Sequence, residues 1–348
     1  MHPNVTVGLD LGDQLSQVDE VDAAGRRLQE ATIRTTLDGL QEYFAGRPPC
    51  RVVCEVGTHS PWVARALVGW GHQVIVANAS EVYGARRRKK RNDRLDAEFL
   101  ARQGRADVQL LHPIQHRGID AQQHLAQLRA RDQLVRTRTQ LINHVRGAVK
   151  SVGGRLPPCS AAAFARQAQP AVPDPLRPGL DPLLTVIGEL TQQIAAYDRT
   201  LAQLVVTYPE AARLQQVVGV GPLTALAFVL LLEDPTRFAR SRDVGAYFGL
   251  VPRLDQSSGA EPQLRISKAG DGLGRRLLVS AAQYILGPFG PECDLRRYGM
   301  ALAQRGGRNA KKRAVVAVAR KLAVVLHRLW VNTQRYDPDR QLKRRRAA

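Results

Sequence analysis

The chain has 348 residues, 44% hydrophobic and 24% charged. That is apolar enough to bury a core and excludes a disordered polyelectrolyte. The net charge of +20 selects for polyanionic partners such as DNA, RNA or an acidic surface. No apolar run reaches the roughly eighteen residues of a membrane-spanning helix. The N-terminal MHPNVTVGLDLGD lacks the pattern of a secretory signal, so a cytoplasmic location with no membrane partner is expected.

Strand and helix signals alternate over residues 4–112. VTVGLDL is a β-rich apolar run, and QLSQVDEVDAAGRRLQEATIRTT reads as two further strands about a turn at Ala24-Gly25. LDGLQEYFAG is helical, RVVCEV a short buried strand, SPWVARALVGWG a helix stopped by Gly71, and QVIVAN another strand. The order β-β-β-α-β-α-β predicts a mixed sheet with helices on its faces. Residues 119–152 carry apolar positions at helical spacing, from Leu125 and Leu128 to Val145 and Val149. Arg129, Arg131, Arg136, Arg138 and Arg146 lie between them, the pattern of a long basic helix. The proline-rich stretch 157–182 predicts a loop. LLTVIGELTQQIAAYDRTLAQLVV then returns to complete an antiparallel helical arm.

From residue 208, LQQVVGVGPLTALAFVLLLED has the form of a helix-hairpin-helix, turning at Gly219-Val220-Gly221. Small residues there allow backbone N–H groups to approach a phosphate, and Gly219 and Gly221 are candidate DNA contacts. An ordinary glycine turn between packed helices is the alternative. RRLLVSAAQYIL and NAKKRAVVAVARKLAVVLHRLW are helical, the second with Lys311, Lys312 and Arg313 on its outer face; Lys268 is a further candidate contact. Residues 301–348 hold fourteen Lys and Arg against two Asp. The expected domains are 1–115, 116–206 and 207–348. Cys50, Cys54, Cys159 and Cys293 lack CxxC spacing and read as reduced thiols.

The stretch GARRRKKRNDRLDAEFLARQG places six cations, Arg86, Arg87, Arg88, Lys89, Lys90 and Arg91, directly before Asp93 and Asp96. Asp10 ends the first strand and Glu55 ends RVVCEV, at strand termini where open α/β sheets hold their ligands. Asp93 and Asp96, three apart, share one helix face. Four such carboxylates suit divalent cations that act on a phosphodiester, while the preceding cations suit its backbone. Each also has a plainer reading. Asp10 fits the phosphate-contacting strand of sugar kinases and actin-like ATPases, Asp93 fits a carboxylate favoured by the helix dipole, and Asp96 fits an ion partner for Arg94 or Arg102.

Together, GLDLGD, CEVGTHSPWVARAL and KKRNDRLDAEFLA resemble the RuvC-like (RNase H-like) domain of the DEDD transposases of insertion sequences. That group includes Piv-type invertases and bridge-RNA-guided recombinases. LRARDQLVRTRTQLINHVRGAVKSVG is similar to its helical, coiled-coil arm. VVGVGPLTALAFVLLLEDPTRFARSRDVGAYFGLVPRLDQSSG and RISKAGDGLGRRLLVSAA are similar to its mostly helical transposase domain. The likeness covers about residues 4–330. It implies a metal-binding tetrad of Asp10, Glu55, Asp93 and Asp96 holding two Mg²⁺. It further implies a serine nucleophile, Ser258 rather than Ser257, and a covalent phosphoserine link to DNA. The implied partners are donor and target DNA, a structured guide RNA encoded by the element, and further copies of the chain in a dimer or tetramer that shares active sites. Three other functions are weighed against this one: a hydrolytic RuvC-like nuclease or junction resolvase without a covalent intermediate, a non-catalytic nucleic-acid-binding protein, and an actin-like kinase. The last lacks glycine-rich adenosine-binding segments and has no use for +20.

Overall fold

Strand β1 (Val5–Asp10) pairs antiparallel with β2 (Leu15–Asp22), which pairs antiparallel with β3 (Arg27–Arg34) across the turn at Gly25. Gly25 sits at φ +82°, a left-handed conformation that favours glycine. On its other side β1 runs parallel to β4 (Arg51–Glu55), and β4 runs parallel to β5 (Gln73–Ala77). The sheet order is therefore β3-β2-β1-β4-β5. This is a computed structural model, and it describes residues 4–78, 92–253 and 264–346.

Both faces of β1 are covered. Val7 and Leu9 join Val18, Val52 and Cys54 in a core capped by helices α1 (Leu37–Phe44) and α2 (Ser60–Gly69). On the opposite face lies α3 (Asp93–Ala106), which buries Ala97, Leu100, Ala101 and Gly104. A Cβ on Gly8 would stand 1.9 Å from the Ala97 carbonyl oxygen, so the helix backbone rests directly on the strand. Charged contacts fasten the same helix. Asp19, 1% exposed, pairs with Arg27 at 2.5 Å, and Arg27 reaches Glu98 at 2.8 Å. Burial raises the Asp19 carboxyl above its ordinary value, against the pull of Arg27.

Contacts between Cα atoms divide the chain into Met1–Gly118 and Ile119–Ala348. The arm and the C-terminal region, expected as separate domains meeting at 206/207, thus form one unit. The reason is a shared core: Leu125, Leu128, Leu201 and Val205 at the arm's base cluster with Leu226, Phe248, Leu278 and Leu322.

The arm pairs α4 (Ile119–Ser151) with α6 (Arg177–Val206). Arg131 meets Asp198 at 2.9 Å, while Arg138 donates to Thr191 at 3.2 Å, so the two helices run antiparallel. The expected loop 157–182 is more structured than its prolines suggest. It contains the short helix α5 (Phe164–Ala168) and two 3₁₀ turns, and its last residues already belong to α6. Pro178 lies in the first turn of α6, where its missing N–H is not needed. Phe164, Ala168 and Val172 bury against Ile142, Val145, Val149, Leu184 and Ile187, giving the arm's far end a core of its own.

The remaining helices are α7 (Pro209–Leu214), α8 (Pro222–Leu232), α9 (Val244–Tyr247), α10 (Gly272–Leu286), α11 (Asp294–Gln304), α12 (Ala310–Asn332) and α13 (Arg340–Arg346). Helix α8 is apolar all round and is correspondingly buried. His327 is buried in α12, bridging Ser241 Oγ and the Pro235 carbonyl at 2.9 and 2.8 Å. Asp271 caps α10, accepting from Gly274 N and from Arg129 of the arm, each at 2.9 Å. Burial opposes ionisation of Asp271, but these two donors outweigh it and hold the carboxyl below its ordinary 3.8. Asp271→Ala is expected to cost about 1–2 kcal/mol, the usual loss of a helix cap. Because the folded value is depressed, that contribution is present above pH 3.8 and is lost as pH falls through the folded value. Urea melts of both proteins across that range check it: the gap should close on the acid side.

Candidate active site and nucleic-acid surfaces

The site's framework is the end of the sheet at which β1 and β4 finish. Leu9 pairs with Cys54, so Asp10 and Glu55 follow side by side on adjacent strands. Side chains alternate along a strand. Asp10 therefore shares the face of Gly8, and Glu55 the face of Val53, which packs against Gly104 of α3. Both carboxylates belong to the face that α3 covers.

Helix α3 runs antiparallel to β1. Arg102 and Arg105 near its C-terminus donate to the carbonyls of Gly25 and Ala23, at the far end of the sheet. Its N-terminus therefore lies toward the end where Asp10 and Glu55 stand. Asp10 is two residues past Gly8, roughly 6.6 Å along the strand. That distance matches about four helical residues at 1.5 Å each, bringing Asp10 level with the first turn of α3. Asn92 caps this turn by accepting from Arg94 N, so the helix begins at Asp93. Asp93 lies one turn before Ala97, and Asp96 one turn before Leu100. The two aspartates extend the sheet-facing stripe beyond the last apolar contact.

The structure thus brings the four predicted acids to one face at one end of the sheet. Asp93 is exposed, and Asp10, Glu55 and Asp96 are half-buried. Among the described residues no three His, Cys, Asp or Glu side chains are gathered into a ready metal cage. The donor set is nonetheless all carboxylate oxygen, which fits a hard divalent cation and not a soft one. The dipole reading of Asp93 holds as well, since both aspartates lie in the first turn. The arginines proposed as partners for Asp96 are engaged elsewhere, Arg94 with Glu30 at 3.2 Å and Arg102 with Glu98 at 2.8 Å.

Sequence reasoning missed a neighbouring arrangement. Trp62 donates its indole N–H to His59 Nδ1 at 3.1 Å, leaving the His59 proton on Nε2, which faces Asp13 at 3.5 Å. His59 follows β4 and Asp13 follows β1, so the imidazole is oriented at the same sheet end as the carboxylates. The signal was GTHSPW directly after Glu55. His72 was also missed; it lies 3.3 Å from Cys50 Sγ in the core, accepting the Cys50 N–H. Among the described residues the four cysteines form no disulfide. Burial pushes the thiols of Cys50 and Cys54 up to about 11 and about 12, out of the reactive range.

Arg86, Arg87, Arg88, Lys89, Lys90 and Arg91, together with Ser257 and Ser258, lie outside the described residues. Of the predicted helix-hairpin-helix, the glycine turn and the second helix are found, whereas the stretch read as the end of its first helix, 215–218, is turn. Helix α7 ends at Leu214, and α8 starts at Pro222. Gly219 turns at φ +79°, where a Cβ would stand 2.9 Å from the Ala281 carbonyl oxygen. Gly221 caps α8 with open space before it. A cleft beside this turn is lined in part by Gln215, Thr224, Ser280 and Tyr284. Lys268 is exposed and left-handed at φ +56°. Lys311, Lys312 and Arg313 occupy the first turn of α12 and are exposed. Cations there oppose the helix dipole by about 0.3–1 kcal/mol each, so helix stability does not explain them.

Known proteins with related sequences identify the family. Residues 7–153 match a transposase family model, DEDD_Tnp_IS110, and residues 211–294 match that of the transposase IS116/IS110/IS902 family. Both segments are transposase domains. The chain is 30% identical to a probable family 20 transposase of Pseudomonas aeruginosa, over 95% of this chain and 98% of that protein. It is 32% identical to the transposase for insertion sequence element IS1328 of Yersinia enterocolitica, over 81% of this chain and 84% of that protein. It is 29% identical to the transposase for insertion sequence element IS1111A of Coxiella burnetii, over 95% and 90%. The chain belongs to the IS116/IS110/IS902 family of insertion-sequence transposases. Its substrates are accordingly DNA. No helix of the described residues is long and apolar enough to cross a membrane.

Proposed function

We propose that the chain moves an insertion sequence by metal-assisted attack of Ser258 on a DNA phosphodiester, guided by a structured RNA encoded by the element. The observation that carries this reading is that Asp10, Glu55, Asp93 and Asp96 lie on one face at one end of the sheet. These four residues would hold Mg²⁺. When bound, Mg²⁺ neutralises the charge that builds on the phosphate and its leaving oxygen. The serine oxygen forms the new P–O bond as its hydroxyl proton is given up. The DNA oxygen leaves and takes up a proton to become a strand-end hydroxyl, and the phosphoserine ester preserves the bond for rejoining. Arg86–Arg91, immediately before Asp93, would hold the backbone next to the carboxylates. The hairpin glycines Gly219 and Gly221, with Lys268, Lys311, Lys312 and Arg313, offer further backbone contacts. In this reading the serine of one subunit works with the carboxylates of another, so a dimer or tetramer is required.

A suicide-substrate assay tests it. Full-length protein, the element's flanking RNA and labelled junction DNA are incubated with Mg²⁺ and resolved on a denaturing protein gel. A protein-linked DNA band is expected, and Ser258→Ala should eliminate it. A band that survives Ser258→Ala but not Ser257→Ala moves the nucleophile by one residue. Cleaved DNA without any adduct assigns the protein to hydrolytic RuvC-like nucleases instead.

A further inference from the structure

Most cations that make the arm read as a basic face are neutralised within the fold. Arg129 pairs with Asp271, Arg131 with Asp198 and Arg136 with Asp132, at 2.9, 2.9 and 3.0 Å. The far end differs. There Arg146, Lys150 and Arg155, with Gly153, Gly154 and Leu156, line a cleft of about 560 Å³. None of these three cations pairs with a carboxylate among the described residues. Lys150 and Arg155 are exposed, while Arg146 is half-buried.

The cleft is braced. Gly153 at φ +83° turns the chain off the end of α4, and Gly153 N and Gly154 N bond back to the carbonyls of Lys150 and Val149. The Arg146 guanidinium stacks 4.9 Å from the Phe164 ring centroid and donates to the Pro157 carbonyl at 3.3 Å. Phe164 is buried in the small core of the arm's end. That core therefore fixes one cation, while two exposed neighbours face the same open space. Three like charges facing one open space with no acid beside them repel one another, so an anion that supplies the opposite charge is the fitting occupant. The cleft's volume suits a phosphate with its flanking sugars.

We propose that the end of the helical arm is a phosphodiester-binding site, with Arg146, Lys150 and Arg155 contacting the backbone of a nucleic acid. It does not depend on the strand chemistry proposed above. The single phosphodiester chemistry has two sources here, DNA and RNA, and the experiment separates them.

Cys159 supplies the probe. Its sulfur lies 3.7 Å from the Arg146 guanidinium, and it is half-buried while Cys50, Cys54 and Cys293 are buried. Full-length protein is incubated with single-stranded DNA, RNA of the same sequence, or a DNA analogue with a neutral methylphosphonate backbone. Each oligonucleotide carries an activated disulfide that Cys159 attacks with loss of a thiopyridine. Efficient trapping by DNA, by RNA or by both is expected, with trapping by the neutral analogue at least about tenfold lower, the counterion-release term being absent from it. Lys150→Gln/Arg155→Gln should lose the same preference while its reactivity toward a small neutral disulfide is unchanged. The variant's salt dependence of binding should flatten by about 1.4 for a single strand and about 1.8 for a duplex, two contacts' worth. Whichever of DNA and RNA traps faster identifies the source. Equal trapping by the neutral analogue, or an unchanged preference and salt slope in the variant, overturns the site.

Discussion

Asp10→Asn is expected to abolish the protein–DNA adduct while leaving the fold intact. Asparagine has the shape of aspartate, and Asp10 sits half-buried at the last position of β1, where its backbone, which the change leaves alone, pairs with Gln17. The change removes one charge and replaces a carboxylate oxygen with an N–H donor at the acidic sheet end. Charge stabilisation by a metal site is worth several kcal/mol, and about 4 kcal/mol corresponds to a loss of about 10³ in rate. The adduct assay should therefore fall at least that far, with the protein still folded at the assay temperature. Glu98→Gln is the internal contrast. Glu98 lies on the same helix, but its hydrogen bond from Arg102 and the pull of Arg27 hold its carboxyl low. Its charge serves packing, so Glu98→Gln should lower the melting temperature and keep adduct formation. If Asp10→Asn retained full activity, the carboxylate end of the sheet would not be the reacting centre.

The strands and most helices were legible because their signals are local. VTVGLDL and RVVCEV are apolar enough to be buried strands, and Gly25 marks the hairpin turn. The positions of the carboxylates at element ends were legible for the same reason: Asp10 and Glu55 end their strands, and Asp93 opens a helix behind an Asn cap. Sheet order was less accessible, because the pairing of β1 with β4 joins residues more than forty positions apart. The arm misled in two ways. Its prolines suggested a loop, yet Pro178 fits a first turn, and Phe164 gains its burial from partners on both long helices. Its arginines suggested a continuous basic face, yet Asp198 and Asp271 neutralise two of them from distant sequence. The ring arrangement at His59 depends on Asp13, forty-six positions earlier, and no periodicity announces such a contact.

Gly8→Ala should be the most damaging single-methyl change in residues 1–118. Most helix–sheet contacts are between side chains and yield to small shifts, but the Gly8 Cβ would meet backbone: the Ala97 carbonyl oxygen at 1.9 Å and the Ala101 nitrogen at 2.5 Å. Relief requires α3 to move away from the sheet, and the helix is not free to move. The Arg51 guanidinium holds the Gly104 carbonyl at 2.7 Å, Arg27 ties Glu98 to the buried Asp19, and Arg102 and Arg105 hold the β2–β3 turn. Overpacking of this kind typically costs about 1–3 kcal/mol, and a rigid backbone partner places Gly8→Ala at the upper end. Gly104→Ala is the matched comparison, because its Cβ would meet the Val53 side chain at 2.2 Å and not backbone, so relief can come from a side-chain shift without lifting the helix. The two variants should separate in activity as well as stability. Lifting α3 off β1 carries Asp93 and Asp96 away from Asp10 and Glu55, and a misplacement of about 1 Å can cost about a hundredfold in rate. Below its melting temperature, Gly8→Ala should therefore form adduct at least about a hundredfold more slowly with all four carboxylates present, whereas Gly104→Ala should stay nearer to the parent. Equal adduct rates for Gly8→Ala and the parent would mean that contact between α3 and β1 does not set the positions of the acids.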